Sequence, residues 1–308
     1  MKIYTLTLNP AYDVHAFVDE FAPYHENLAD VQSREAGGKG VNISRALSAN
    51  GVKNTAVVVL GKENGEEFKK ALLEDGIESI FLEKEGCIRE NLTLHCPKAP
   101  ETRISFSGFR VDDSVLDEIT AKLAVDEETI ITLTGRVPAG MSMEKVKAFL
   151  VGLQKKGAKI VLDSKSFGLE DLYEVKPWLI KPNQEEISEY FGCLIANMGE
   201  ASAKAEELAL HGVENVMISL GEQGALLRSG EKTYIAVPPQ IQAVSTIGAG
   251  DSTIAGFIAA TLQRAEAQEC LRTAVAFGTA ACMTGGTKPP REKEIVYNYT
   301  KIQISLEN

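Results

Sequence analysis

The stretch that decides the fold is residues 129–163, TIITLTGRVPAGMSMEKVKAFLVGLQKKGAKIVLD. Its first six and last five residues are short apolar runs, typical of strands that are buried on both faces. Between them, residues 143–157 have apolar side chains at helical spacing and end on a glycine, which suits a helix C-terminus. Strand, helix and strand in this order predict two parallel strands joined by a helical crossover.

The same alternation continues on both sides of this stretch. Further strands are predicted at residues 3–8, 56–60, 178–182 and 216–220, and further helices at 40–51, 65–76, 183–192 and 201–212. Apolar strands separated by helices predict a three-layer α/β/α fold, with a mostly parallel central sheet and helices on each face.

Two segments break this rhythm. Residues 11–36 have no helical period, and residues 86–111 alternate like two antiparallel strands around a Pro-Lys turn. Together they predict a small β-sheet, inserted in two pieces into a single domain that spans residues 1–308.

Composition excludes several classes of protein. The net charge is −11, from 32 Lys plus Arg and 43 Asp plus Glu, which argues against general binding to nucleic acid or to anionic membranes. The sequence contains no run of about 18 apolar residues and therefore predicts no membrane span. Five scattered cysteines without a CxxC pair and four histidines without HxxxH spacing argue against a disulfide framework or a zinc site. We therefore expect a cytoplasmic protein.

The most informative motif is STIGAGDSTIAGFIAATL, residues 245–262. Gly248, Ala249 and Gly250 precede a helical pattern, so their amides can converge on an anion at the positive end of the helix dipole. Asp251 follows in the first turn. It is either a helix-capping acid or the base that takes a proton from an attacking hydroxyl.

A second glycine cluster, EAGGKGVNISRALSANG, occupies residues 35–51. Its glycines are either turn residues or part of a ligand site, and Asn42 on the first helical turn can hydrogen-bond a hydroxyl. Asp13 follows the first strand, at the sheet edge where open α/β folds bind ligands, although an ordinary turn aspartate is the alternative. The sequence contains neither GxGxxG nor GxxxxGK[ST], which argues against a nicotinamide oxidoreductase and against a P-loop enzyme.

Two further motifs lie between these. In KPNQEE, residues 181–186, Asn183 and Glu186 share a helix face, where they either cap the helix or hold hydrated Mg²⁺. In SLGEQGA, residues 219–225, the glycines predict a tight hairpin or the edge of a nucleotide pocket.

In combination these motifs resemble the PfkB, or ribokinase-like, carbohydrate kinase family over nearly the whole chain, in the family's order and approximate spacing. The resemblance implies that Asp251 is the catalytic base, that the amides of Gly248, Ala249 and Gly250 form the anion hole, and that Asn183 and Glu186 organise Mg²⁺ through water. It assigns sugar hydroxyls to Asp13, Gly38 and Asn42, and makes the segments near 11–36 and 86–111 a lid. It implies an ATP site bordered by Lys181, Asn183, Ser219, Gly221, Gly224, Thr246 and Gly250, with residues 274–287 closing over adenine.

Within the family, the chain most resembles the bacterial 1-phosphofructokinase branch, and tagatose-6-phosphate kinases are similar. The resemblance implies transfer of the ATP γ-phosphoryl group to C6 of fructose 1-phosphate. An acidic protein needs a local group of cations to bind such a substrate. The candidates are Lys39, Arg89, Arg103 and Arg136, with Arg89 and Arg103 expected to face each other across a hairpin. Arg136 lies in TGRVP, where the family usually has SGSLP.

Three further expectations stay open at this point. Members of the family commonly have a monovalent cation site, such as one for K⁺, beside the GAGD loop. An exposed lid sheet favours a homodimer. A non-catalytic sensor of nucleotide and sugar phosphate is the alternative from another class, but the intact GAGD motif argues against it.

Overall fold

The computed structural model of the protein describes residues 1–307. In chain order the strands are β1 (Lys2–Thr7), β2 (Ala11–Phe17), β3 (Asp30–Gly37), β4 (Thr55–Gly61), β5 (Glu78–Lys84), β6 (Arg89–Cys96), β7 (Ala99–Ser105), β8 (Thr129–Thr134), β9 (Lys159–Asp163), β10 (Leu179–Ile180), β11 (Asn215–Ser219), β12 (Ala225–Ser229), β13 (Lys232–Val237) and β14 (Gln303–Leu306). The helices are α1 (Lys39–Ala49), α2 (Gly65–Glu74), α3 (Ser114–Lys122), α4 (Met143–Gln154), α5 (Leu169–Val175), α6 (Gln184–Phe191), α7 (Met198–Leu210), α8 (Ala249–Leu262), α9 (Ala267–Cys282) and α10 (Glu292–Tyr299).

The large sheet has the strand order β14-β13-β12-β11-β10-β9-β8-β1-β4-β5. Its pairs are parallel from β11 to β5, and antiparallel among β11 to β14. The predicted mostly parallel α/β/α fold is therefore confirmed. The predicted strand at 178–182 is shorter, with only Leu179–Ile180 paired. Of the antiparallel edge, the sequence indicated only the hairpin at residues 219–225, as one of two alternatives.

Helices cover both faces of this sheet. Alternate strand residues point to opposite faces, so Leu6 of β1 packs with α3 to α7, whereas Ile3 of the same strand packs with α1, α8, α9 and α10. Helix α8 is buried along most of its length, because it lies between the sheet, α1 and α9. Its rigid position fixes the GAGD turn at its N-terminus. Within residues 1–307, no helix is both long enough and apolar enough to cross a membrane.

The second sheet, called the small sheet below, has the order β3-β2-β6-β7. Its strands come from the segments 11–36 and 86–111, apart from Gly37 at the end of β3. Strands β6 and β7 form an antiparallel hairpin, and β2 pairs in parallel with β6. Strand β2 begins four residues after β1 ends, and β3 leads directly into α1. These short connections hold the small sheet beside the carboxyl ends of the parallel strands.

Candidate active site

The GAGD turn combines an anion-binding helix end with a buried carboxylate. Gly248 adopts a left-handed conformation with φ of 74°, and the Ser252 amide donates to its carbonyl oxygen at 2.9 Å. The Ala249 amide donates to the Thr246 carbonyl oxygen at 3.4 Å, whereas the amides of Gly250 and Asp251 belong to the unpaired donors of the first helical turn. This arrangement suits a phosphate group.

Asp251 is only 5% exposed, and its Oδ2 accepts a hydrogen bond from Asn42 Nδ2 at 2.9 Å. The two predicted glycine motifs, which are 209 residues apart, therefore meet at one carboxylate. Burial raises the pKa of Asp251 to about 6, against the opposing effects of Lys39 and of the Asn42 hydrogen bond. A carboxylate with this pKa is ionised at neutral pH and is a better proton acceptor than an exposed aspartate.

A second buried carboxylate, Asp163 at the end of β9, accepts a hydrogen bond from Lys39 Nζ at 2.8 Å. Burial alone would raise the pKa of Asp163. The positive charges of Lys181 and Lys39 have the larger combined effect, so this pKa is lowered. Burial alone would lower the pKa of the Lys39 ammonium. The negative charges of Asp163 and Asp251 outweigh this effect, so the pKa is raised. Lys39 was predicted as a substrate ligand, and here it also neutralises Asp163.

Lys181, placed at the ATP site by the resemblance, is 4% exposed. Its ammonium nitrogen lies 3.0 Å from the position that a Cβ on Gly250 would occupy. A side chain at position 250 would therefore push this ammonium aside. The glycine allows the ammonium to approach the anion-binding turn, where it adds positive charge for a bound phosphate.

Several buried polar atoms in this region have no partner within the described residues. They lie at the carboxyl ends of β1 and β8, on α1 and on the small sheet: Thr7 Oγ1, Asn9 Oδ1, Asn42 Oδ1, Arg89 Nε, Asn91 Oδ1 and Thr134 Oγ1. An unpaired buried polar group costs about 1–3 kcal/mol, so we expect a polar ligand to satisfy this set. A compound with several hydroxyl groups meets that requirement.

Asp13 lies next to these atoms. Its Oδ1 accepts a hydrogen bond from Asn91 Nδ2 at 3.0 Å, and burial raises its pKa. Its other oxygen lies against the backbone of a glycine, since a Cβ on Gly37 would lie 2.1 Å from Asp13 Oδ2. Gly38, at φ 128° and against Thr7, continues this close approach into α1. Asp13 and Gly38 therefore lie at the junction that leads into α1, the helix that carries Asn42, and their roles toward a sugar stay predictions.

The predicted arginine pair is corrected by the register of the small sheet. Arg103 pairs with Thr93, so Arg103 and Arg89 do not face each other. Arg89 donates to the carbonyl oxygens of Phe106 at 2.7 Å and Asn9 at 3.4 Å, whereas the exposed Arg103 pairs with Glu101 at 2.9 Å. The pairing of β6 with β7 does not place these arginines opposite each other, and Arg89 instead lies beside residues 106–108.

Arg136 follows Gly135, which has φ of 83° and lies against Lys39. The Arg136 side chain is exposed, and among the described residues it forms no ion pair or hydrogen bond. Burial lowers the pKa of Arg89, and the charge of Arg136 lowers it further. Of the four predicted cations, Arg89 and Arg136 are the two that form no ion pair among the described residues.

Asn183 and Glu186 form a capping box at the start of α6. Asn183 Oδ1 accepts from the Glu186 amide at 2.9 Å, and Glu186 Oε2 accepts from the Asn183 amide at 3.0 Å. The capping alternative is thus observed, and it commits the Asn183 oxygen. One oxygen of the buried Glu186 carboxylate remains for a water bound to Mg²⁺, so the fit to a metal rests on Glu186.

The remaining predicted ATP residues lie near the end of β11 and before α8. Ser219 ends β11 and bridges to Asn183, and Gly221 and Gly224 form the turn of the β11–β12 hairpin. Thr246 is exposed, just before the GAGD turn. Most of the segment 274–287 is not a loop, because α9 continues to Cys282. Only residues 283–287 of this segment form a loop.

The sequence analysis missed Asp163, Thr7, Asn9 and Thr134. Asp163 and Thr134 end neighbouring parallel strands and pair with each other across β8 and β9. The argument that selected Asp13, a polar residue at the carboxyl end of a strand, also selects Asp163 and Thr134.

Comparisons with known proteins identify the family of this chain. The model of the pfkB family carbohydrate kinases matches residues 6–294. The 1-phosphofructokinase of Vibrio cholerae is 32% identical over 307 residues, which cover 99% of this chain and 96% of the relative. The 1-phosphofructokinase of Bacillus subtilis is 32% identical, covering 92% of this chain and 93% of the relative.

A solved structure shows the same fold. Phosphofructokinase-2 from Escherichia coli, in complex with potassium, has a TM-score of 0.90 and 27% identity, covering 97% of this chain and 98% of that one. The family match extends from β1 to α10 and includes the GAGD turn, Asp251 and the α1 motif. The chain therefore belongs to the PfkB family of carbohydrate kinases.

Proposed function

We propose that this kinase transfers the γ-phosphoryl group of ATP to the C6 hydroxyl of fructose 1-phosphate, giving fructose 1,6-bisphosphate. The observation that carries the proposal is the placement of Asp251, a buried carboxylate with a pKa of about 6, beside the free amides of the α8 turn. A base next to an anion-binding turn is what an in-line attack by a hydroxyl on phosphorus requires.

The buried polar atoms without partners, which include those of Thr7 and Thr134, favour an acceptor with several hydroxyl groups. In this proposal Asp13 and Asn42 orient its hydroxyls, and Asp251 takes the C6 proton while the amides at 248–250 hold the transferred group. Because the transition state of phosphoryl transfer is loose, most of the acceleration comes from positioning and from Lys181 and the amides. The small sheet acts as a lid that excludes water from the reacting atoms.

Four cations favour a phosphorylated sugar over a neutral one. Arg89 and Arg136 form no ion pair among the described residues, whereas a phosphate would have to compete with Asp163 for Lys39 and with Glu101 for Arg103. In a protein of net charge −11, such a group is needed to bind a dianion. The names of the relatives from Vibrio cholerae and Bacillus subtilis favour fructose 1-phosphate as that substrate.

Two ions belong to the proposal. Glu186 would hold Mg²⁺ through water, and the ion would neutralise charge on the ATP phosphates. A monovalent cation such as K⁺ is proposed beside the GAGD turn, since the similar phosphofructokinase-2 structure contains potassium.

A homodimer through the small sheet and a cytoplasmic location are also proposed. Ile104 and Phe106, in β7 and just after it, are 45% and 56% exposed, and apolar side chains on a sheet edge favour association. Light scattering of the purified protein tests the dimer, and a monomeric mass would contradict it.

The test of function is a coupled assay with ATP, Mg²⁺ and one of four acceptors: fructose 1-phosphate, fructose 6-phosphate, tagatose 6-phosphate or fructose. We expect the highest kcat/KM with fructose 1-phosphate. A preference for tagatose 6-phosphate would show that the TGRVP segment, with Arg136, has changed the substrate. Nucleotide binding without transfer to any acceptor would indicate a sensor and overturn the proposal.

A further inference from the structure

The small sheet is linked to the loop after α9 by a hydrogen bond across the site. Thr287 Oγ1 donates to Glu35 Oε2 at 3.0 Å, although the two residues are 252 positions apart. Thr287 is 6% exposed, and the neighbouring Gly286 lies against His15 of β2. Two strands of the small sheet therefore contact this one loop.

The same loop supports the anion-binding turn. The Cα atom of Thr287 lies 3.8 Å from the position of a Cβ on Gly248, the residue that caps α8. The chain just before the GAGD turn is also fixed here, since the Val244 amide donates to the Cys282 carbonyl at 2.8 Å. Thr287 thus touches the small sheet on one side and the phosphate-binding turn on the other.

Glu35 is also connected to the acceptor side of the site. It is the cross-strand partner of Asp13, so both side chains lie on one face of the small sheet. A ligand bound by Asp13 therefore lies on the strand pair that carries Glu35. Glu35 further lines a cavity of about 370 Å³ between the small sheet and the loop, so its side chain is not enclosed by close packing.

We propose that Glu35 is a positioning residue, which accepts the Thr287 hydroxyl when the small sheet closes and thereby fixes the GAGD turn for transfer. Closure over the acceptor is then coupled to the order of the anion hole through one side-chain bond. This inference rests on the proposed function, and it adds a residue that contacts neither ATP nor the sugar in that proposal.

The kinetic test compares Glu35→Ala with Glu35→Gln, whose amide oxygen can still accept the Thr287 hydroxyl. The loss of a hydrogen bond to a charged group corresponds to a decrease of about tenfold or more in a rate constant. We expect Glu35→Ala to lower kcat by at least about tenfold with the KM for ATP unchanged, and Glu35→Gln to restore most of the loss. Thr287→Val should have the same effect, and the double variant should be no worse than either single one.

Glu90→Ala is the matched control. Glu90 pairs with Arg34 at 2.7 Å on the small sheet, so its loss also weakens that sheet but leaves the Thr287 bond intact. Equal kcat values for Glu35→Ala and Glu90→Ala would overturn the inference, as would additive effects in the double variant.

A second readout does not depend on activity. Deuterium exchange should increase in residues 245–252 as well as in 283–288 for Glu35→Ala, but not for Glu90→Ala. Unchanged exchange at 245–252 would overturn the inference by itself. A wild-type protein that phosphorylates no sugar phosphate would instead overturn the proposed function, while the exchange experiment would still decide the role of Glu35.

Discussion

Asp251 is the residue on which the proposed chemistry depends, because it is the buried carboxylate that contacts both glycine motifs. Replacing it with asparagine keeps the size and the contact with Asn42 but removes the proton acceptor. We predict that Asp251→Asn lowers kcat by at least about a hundredfold, the low end for a general base, with much smaller changes in KM. Steady-state kinetics with fructose 1-phosphate check this, and near-normal turnover would contradict the assignment.

The raised pKa of Asp251 also has a consequence for stability. Its pKa is about 6 in the fold against 3.8 ordinarily, so ionising it disfavours the folded state. This cost in folding free energy is absent below the pKa of the unfolded state, 3.8. It grows as the pH rises toward the pKa of the folded state and is complete above pH ~6. A shift of two pKa units corresponds to roughly 3 kcal/mol, an upper figure for this group.

We therefore predict that Asp251→Asn is more stable than the wild type at pH 8, and that the difference shrinks toward pH 4. Urea unfolding of both proteins at the two pH values measures it. An asparagine variant that is less stable than the wild type at pH 8 would show that burial does not raise this pKa.

Arg89 is predicted to act on the substrate phosphate. Its guanidinium is held by the carbonyl oxygens of Phe106 and Asn9, and its Nε has no partner within the described residues. Arg89→Ala should raise the KM for sugar phosphate by at least about tenfold and leave the KM for ATP nearly unchanged. The exposed Arg110 gives a matched control, and equal effects on both substrates would contradict a phosphate contact at Arg89.

At the scale of the element, the junction of β3 and α1 has to pass close to Asp13. A Cβ on Gly37 would lie 2.1 Å from Asp13 Oδ2, so Gly37→Ala forces that carboxylate to rotate away from Asn91. We predict at least about a tenfold rise in the KM for the sugar, because one charge-assisted hydrogen bond is lost. The fold should remain, since the clash falls on a side-chain end.

Gly152→Ala is the control for this substitution, because nothing lies within 4 Å of a Cβ at that position in α4. It should leave activity unchanged and stabilise the helix by about 0.5–1 kcal/mol. A Gly37→Ala enzyme with wild-type KM values would show that Asp13 does not contact the acceptor.

Across the whole molecule, the sequence predicted those strands, helices and turns that depend on residues close together in the chain. The 129–163 stretch gave β8, α4 and β9, and the glycine clusters marked the turns before α1 and α8. Short apolar runs and glycine-terminated helices are properties of neighbouring residues, so they can be read without the fold. The pairing of β14 was missed because it depends on a distant segment, Gln303–Leu306, whereas β12 and β13 pair through local hairpins, of which the sequence indicated only the turn at residues 219–225.

The rest of the site is set by contacts between distant segments. The Lys39–Asp163 bond joins residues 124 positions apart, and no local pattern specifies it. The register of β6 and β7 separates Arg89 from Arg103 because Thr93, and not Arg89, lies opposite Arg103. Asn183 and Glu186 left two alternatives in the sequence, and only the backbone geometry of α6 showed that they cap the helix.

The central claim is that the amides at 248–250 hold the transferred phosphoryl group while Asp251 receives the acceptor's proton. A crystal structure with Mg²⁺, a non-hydrolysable ATP analogue and fructose 1-phosphate tests it most directly. The account predicts the terminal phosphorus against these amides, with the C6 hydroxyl within hydrogen-bond distance of Asp251. A terminal phosphorus bound away from the α8 turn, or a C6 hydroxyl out of reach of Asp251, would contradict it.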